Sequence, residues 1–353
     1  MSLRKGLALF FLFSFGVSSA ILIFSVDGNT WTTILHARKG PLGLAFLFVL
    51  CAWTCDALRF CSLARAMGQM ISFLNGVILT WLHYFGCAVT PMQVGGGPFQ
   101  VFVLYQSGIP IGQGIAITLV RTLLTTFLLS VVAPVAFLMH PDIFKGHHIM
   151  AGVFVYVLLF SIVIWVAFVA SVLRPHWVKR VGSVIVLWLR RFKILGRNRI
   201  LCTIRRINAE IDGYAVNMRL LFSHGIWWLL LAFVLSLGHL LFLFSVLPCL
   251  IWSVGLPVHY VESLLVQAVL LFALYFVPTP GASGVAEGGG AALFGLLMPW
   301  SMAGVMAVAW RFFTEYLAIL MGAIVAVRFI GWGTAEMIVQ SRQREYREID
   351  NME

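Results

Sequence analysis

Thr90-Pro91-Met92-Gln93-Val94-Gly95-Gly96-Gly97-Pro98 interrupts one long hydrophobic run, and Thr279-Pro280-Gly281-Ala282-Ser283-Gly284 interrupts another on the same plan. The likeness extends outward from both breaks. Gly114 and Arg121 follow the first, Gly304 and Arg311 follow the second, and the two sets of spacings agree to within one residue. Neither break suits a continuous helix, because proline withholds an amide hydrogen and glycine carries the largest backbone entropy cost. Two half-chains therefore share one layout, with an arginine at a matching place in each.

Composition fixes the solvent. Hydrophobic residues make up 61% of the 353-residue chain and charged residues 10%, against about half and about a quarter in a soluble domain. The chain reads as an all-α integral membrane protein, a single polytopic domain over 1–353 with no soluble catalytic domain beside it. Apolar runs long enough to cross occupy Leu7 to Phe24, Leu42 to Leu63, Gly112 to Leu138, Met150 to Val172, Phe222 to Leu247 and Met302 to Val327, which makes six full spans. The first follows Arg4 and Lys5 without a clear small-residue cleavage site, so it reads as an uncleaved span.

The interrupted regions, 71–107 and 258–298, are different. Past each break only about a dozen apolar residues precede Gly108-Ile109-Pro110 or Pro299, and as helix they rise about 18 Å, short of a hydrocarbon core of about 30 Å. Each region is expected to be a re-entrant helical hairpin that dips into the membrane and returns. The first half then covers 1–172, a basic loop 173–220, the second half 221–330 and a tail 331–353.

Charge sets the orientation. Ser171 to Arg219 carries eleven lysines and arginines against Glu210 and Asp212 alone, which predicts a cytoplasmic loop. Counting spans from there places both termini in the cytoplasm and inverts one half relative to the other, the arrangement of transporters whose site lies at a repeat interface. Within the loop, Leu201, Ile204, Ile207, Ile211, Ala215, Met218 and Phe222 recur at helical steps and predict an interfacial amphipathic helix drawn to anionic lipids.

Broken helices inside a bilayer leave backbone groups that lipid cannot satisfy, so they persist only when buried in protein or lining a wet cavity. The amides around Gly95, Gly96 and Gly97 open a short helix and suit a phosphate, and Gly284 opens its counterpart. Packing of small residues would account for the glycines, though not for threonine-proline pairs at matched positions (Thr90-Pro91 and Thr279-Pro280).

An arginine within a span needs a partner. Glu315, one turn beyond Arg311, can supply it, whereas Arg121 has only Thr125 at that offset and is expected to be freer to meet a headgroup. Asp56 and Arg59, three apart, are expected to neutralise each other. Glu287 sits in apolar, glycine-rich sequence with no basic neighbour nearby, which suits proton coupling or capture of a cationic group. His83, His239 and Glu262 are further candidates for the cavity; His140, Asp142, His147 and His148 form a weak metal set. The six cysteines lack zinc spacing and read as packing residues.

Two stretches carry a resemblance. TPMQVGGGPFQVFVLYQSGIPIG, from Thr90 to Gly112, and PTPGASGVAEGGGAALFG, from Pro278 to Gly295, followed by AVAWRFFTEYLAILMGAIV, resemble the lysylphosphatidylglycerol synthase transmembrane region family of flippase-like integral membrane proteins. The resemblance runs over nearly the whole chain. It implies a bacterial cytoplasmic (inner) membrane protein related to the lipid-translocating half of the multiple peptide resistance factor, and it implies no aminoacyltransferase activity, because the polar segments are too short for that soluble domain.

These readings converge on a lipid translocase holding a headgroup between the two hairpins. Its substrate-binding residues are Thr90, Pro91, Gly95, Gly96, Gly97, Arg121, Thr279, Pro280, Gly284, Glu287, Arg311 and Glu315. No catalytic residue, metal or cofactor is expected, and no phosphate-binding GxxxxGK[ST] motif indicates an ATP motor. Expected partners are a membrane phospholipid substrate, anionic lipids at the basic loop and, the sequence leaving oligomeric state open, a second copy of the chain; nothing points to nucleic acid. The alternatives are a membrane-bound lipid-modifying transferase and a non-transporting envelope scaffold.

Overall fold

With lipid as solvent each backbone N–H and C=O needs an internal partner, and among the described residues the chain answers chiefly with helices. The computed structural model describes residues 3–25, 28–90, 93, 95–139, 225–330 and, between 152 and 166, the helical positions 152, 155–156, 158–163 and 165–166. Pro91, the His140 to His148 set, most of the expected span from Met150 to Val172, the basic loop and the tail lie outside the described residues.

In chain order the elements are α1 (Leu3–Ser25), α2 (Gly28–Leu35), α3 (Lys39–Ala66), α4 (Phe73–Val89), α5 (Gly96–Gln106), α6 (Ile111–Met139), α7 (Ile226–Phe244), α8 (Val246–Ser253), α9 (Tyr260–Leu274), α10 (Val285–Phe294), α11 (Trp300–Arg311) and α12 (Leu317–Val325). Two π-helical turns, Phe312–Tyr316 and Ala326–Ile330, flank α12. Four stretches are long and apolar enough to cross a membrane: Lys39–Ala66, Ile111–Val135, Ile226–Ser253 and Trp300–Arg328. They coincide with four of the six expected spans. Three shorter apolar helices, Ala8–Ile23, Phe73–Val89 and Tyr260–Leu274, accompany them.

Helix α4 starts where Ser72 accepts the Asn75 N–H at 3.2 Å, as a helix-capping serine does. It ends at Thr90, and the chain turns back as α5. The two helices run antiparallel: Gly86 packs against Gly95, His83 against Gly96, Gln100 Nε2 donates to the Leu79 carbonyl at 3.4 Å, and Asn75 Nδ2 donates to Ser107 Oγ at 3.2 Å. In the second half α9 and α10 pack together likewise, with Leu270 against Gly289 and Gly290.

The halves correspond element by element in their packing. Each hairpin's second helix lies against the long helix that follows it, α5 on α6 and α10 on α11. Each hairpin's first helix crosses to the other half, α4 to α12 and α9 to α6. At the centre α3 packs on α7 along most of its length. Phe48 meets Phe242, Ala52 meets His239, Arg59 meets Ser236 and Ala66 meets Gly225, so these two helices run in opposite directions. Helix α1 breaks the correspondence, packing on α4, α10 and α11.

Candidate functional site

Thr90 folds the first break. Its hydroxyl donates to the Gly86 carbonyl at 2.8 Å and accepts the Gly95 N–H at 2.7 Å, closing the chain between α4 and α5. Thr279 works on the second break, donating to the Ser283 carbonyl at 2.9 Å. There Gly281, Ala282 and Gly284 take φ of +58°, +51° and +87°, a left-handed path that glycine allows at little cost. The two breaks touch: the Gly281 N–H donates to the Cys87 carbonyl at 3.1 Å. A side chain at position 281 would press on Phe10 of α1 at 2.9 Å and on Ala88 Cα at 3.1 Å, so the contact needs glycine.

A charge cluster stands beside each break. In the first half Arg121 reaches across from α6 to Asp56 on α3 in a two-pronged pair, Nε to Oδ1 at 3.1 Å and a terminal nitrogen to Oδ2 at 2.7 Å. Arg59 also contacts Asp56 and donates to Thr125 Oγ1 at 2.7 Å and Ser236 Oγ at 3.1 Å. Two guanidinium groups thus share one carboxylate, and all three residues are buried. The expectation that Arg121 is free of an acidic partner is corrected by this geometry. The Asp56–Arg59 pair exists as expected, yet a carboxylate has two oxygens and can serve a second arginine.

The second cluster reverses the count. Arg311 lies 3.3 Å from Glu287 and 3.3 Å from Glu315, and it donates to the Gly281 carbonyl at 2.5 Å. Glu287 also takes the Gly284 N–H at 2.7 Å, as an acidic side chain in the first turn of a helix does. Its other oxygen accepts from Ser14 at 2.5 Å and Tyr316 at 2.9 Å. Glu287 has no basic neighbour in its local sequence, as read above, and the packing of the next helix supplies one, Arg311. One guanidinium here serves two carboxylates. The π-helical turn helps, because its extra residue sets both Glu315 and Tyr316 toward this cluster.

Between the clusters lies a cavity of about 60 Å³, walled by both halves. Arg59, Arg121, Thr125 and His239 face it from one side of the molecule's charge, and Trp310, Thr314 and Glu315 from the other, with Gln93, Cys87 and Gly281 of the breaks beside them. Arg59 Nε, though fully buried, has no hydrogen-bond partner among the described residues.

Of the residues singled out in the sequence, Arg121 and Glu315 line this cavity, as do His83 and His239. Gly95, Gly96 and Gly97 do not; the Gly95 amide is spent on Thr90, and a Cβ at Gly96 would collide with His83. Thr90, Thr279, Pro280, Gly284, Glu287 and Arg311 stand behind the wall and shape it, while Glu262 starts α9 away from it. Arg59, Ser14 and Tyr316 escaped the sequence reading as site residues. A serine inside an apolar helix carries no local signal, and Ser14 would have been found only by asking what covers Glu287.

The sequence has known relatives. A "UPF0104 membrane protein" of Archaeoglobus fulgidus is 24% identical over 314 residues, covering 89% of this chain and 94% of its own length. The family model described as "Lysylphosphatidylglycerol synthase TM region" matches residues 11–322, a segment that contains both breaks, both charge clusters and the cavity. This multi-pass membrane protein belongs to the lysylphosphatidylglycerol synthase TM region family.

Proposed function

We propose that the chain is a lipid translocase of the bacterial cytoplasmic membrane, moving the headgroup of an anionic, aminoacylated or related phospholipid between leaflets while the acyl chains stay in the bilayer. The single observation that carries this reading is the contact between two broken helical hairpins, Gly281 N–H to the Cys87 carbonyl, beside a cavity walled by Arg59, Arg121 and Glu315. Short helices support re-entrant hairpins: α5 with eleven residues and α10 with ten rise about 15 Å, half of a hydrocarbon core. The opposed course of α3 and α7 supports an inverted repeat; six spans and cytoplasmic termini rest on the hydropathy and charge of the sequence.

The cavity as it stands takes about four waters and no headgroup. Passage therefore requires the two breaks to part, and the bond that must open is the one from Gly281 to Cys87. Arginines in a water-poor pocket compensate a phosphate's lost hydration, which is the main barrier a headgroup meets in the membrane. On this reading the chain makes and breaks no covalent bond. Purified protein reconstituted into vesicles with fluorescent phosphatidylglycerol, lysylphosphatidylglycerol and a polyprenyl phosphate should speed leaflet exchange of at least one lipid. Exchange at the rate of protein-free vesicles for all three rejects the translocase.

A further inference from the structure

Two carboxylates compete for one guanidinium in the second cluster, and neither is closely paired. Arg311 turns Nε to Glu287 and Nη2 to Glu315, each at 3.3 Å, beyond the roughly 2.7–2.9 Å of a close charge-assisted bond. Nη2 is also committed to the Gly281 carbonyl, and Nη1, though fully buried, has no partner among the described residues. The matching arginine of the first half is not divided in this way: Arg121 gives both Nε and Nη2 to Asp56 alone. One negative charge is therefore left over in the second cluster, where burial makes an uncompensated charge costly. The two carboxylates differ in what else they meet. Glu287 also accepts from the Gly284 N–H, Ser14 and Tyr316, three donors that suit a carboxylate. Glu315 has Arg311 as its one charged partner within 4 Å among the described residues, and it faces the cavity, which has room for about four waters.

We infer that the second cluster is a proton-binding site: Glu315 takes one proton from water in the cavity, and Arg311, released from it, closes on Glu287 through Nε and Nη2 as Arg121 closes on Asp56. The carboxylate oxygen gains the proton and becomes a neutral acid able to donate to a cavity water, while the guanidinium keeps its protons and changes partner only. The other charged or titratable groups facing the cavity are Arg59 on α3, Arg121 on α6, His83, Tyr84 and Cys87 on α4, His239 on α7 and Tyr275 just past α9. Arg59 and Arg121 against Asp56 leave that side with one positive charge, so an added proton is repelled there and drawn to the wall that carries Glu315. The site goes beyond the translocase reading, giving a proton gradient a place to act, and it is tested without transport.

The test is infrared difference spectroscopy on the full chain in lipid vesicles, acidified from about pH 9 to about pH 5, a range over which exposed carboxyl groups stay largely ionised. The carbonyl band of a protonated carboxylic acid should appear with the intensity of one group, and Glu315→Gln should remove it whole. Glu315→Asp keeps a carboxyl at the cavity and should restore the band, so that the loss reads the proton and not the fold. Glu287→Gln should also remove it, because Arg311 then closes on Glu315 and no charge is left over. Glu262→Gln, at the start of α9 away from the cavity, should leave it unchanged. A band that is absent from the unaltered protein, survives Glu315→Gln or Glu287→Gln, or fails to return in Glu315→Asp overturns the inference. Leaflet exchange in the same vesicles gives a separate answer: its absence for every lipid, with the band behaving as described, rejects transport and leaves the proton site standing.

Discussion

In the first half Arg121 meets Asp56 from α3, which Arg59 shares; in the second, the matching Arg311 meets Glu287 from α10 and Glu315 from the adjoining π-helical turn. The helices around the two arginines correspond, down to the crossing of α4 to α12 and of α9 to α6. Their charges do not: one cluster holds two cations and one anion, the other one cation and two anions. Duplicated scaffolding thus supplies two equivalent places for an arginine, and the partner's origin, a neighbouring long helix or the hairpin itself, decides which sign is left over. A cavity between two identical clusters would have one sign on every side. This one is polarised.

Removing carboxylates tests that difference most severely. Asp56→Asn leaves Arg59 and Arg121 buried with no counter-charge, and a loss of about 3–5 kcal/mol is expected in the denaturant midpoint measured in micelles. Glu287→Gln should cost less, about 2–3 kcal/mol, because Arg311 retains Glu315. Equal losses would mean that the clusters do not differ in the way their geometry indicates.

The breaks offer a finer comparison. Gly281→Ala places a methyl group against Phe10 and Ala88 on a left-handed backbone, and about 2 kcal/mol of destabilisation is expected from overpacking and strain. Ser14→Ala should be milder, about 1 kcal/mol, since Glu287 keeps its bonds from Gly284 and Tyr316. Among the described residues no helix packs on the first cluster as α1 packs on the second, so the effect of Ser14→Ala should be confined to the second; a change in Arg121 accessibility to solvent probes would contradict that.

How much of this was legible in the sequence follows from the range of each signal. The breaks at Thr90 and Thr279, the short helices after them and the matched arginines were readable because helix length, proline and glycine act on their own chain neighbours. Charge partners were not. Asp56 and Arg121 stand on different helices, and the local pair Asp56–Arg59 offered a complete answer that geometry then shows to be partial. Glu287's basic neighbour was hidden for the same reason, as Arg311 arrives through packing of α10 on α11. The glycine amides at 95–97 were assigned to a ligand because helix N-termini attract anions, but Thr90 had already taken one of them.

The central claim is that the two breaks, joined from Gly281 to Cys87, must separate for a headgroup to pass. Cysteines introduced as Ala88→Cys and Gly281→Cys, in a chain whose six native cysteines are replaced by alanine, stand close enough to cross-link, a Cβ at 281 lying 3.1 Å from Ala88 Cα, and the strain of a side chain at 281 is common to the reduced and oxidised forms, so the comparison between them reads the cross-link alone. Leaflet exchange by this variant in vesicles should stop on oxidation and return on reduction. Exchange that continues at an undiminished rate in the cross-linked protein would contradict the account.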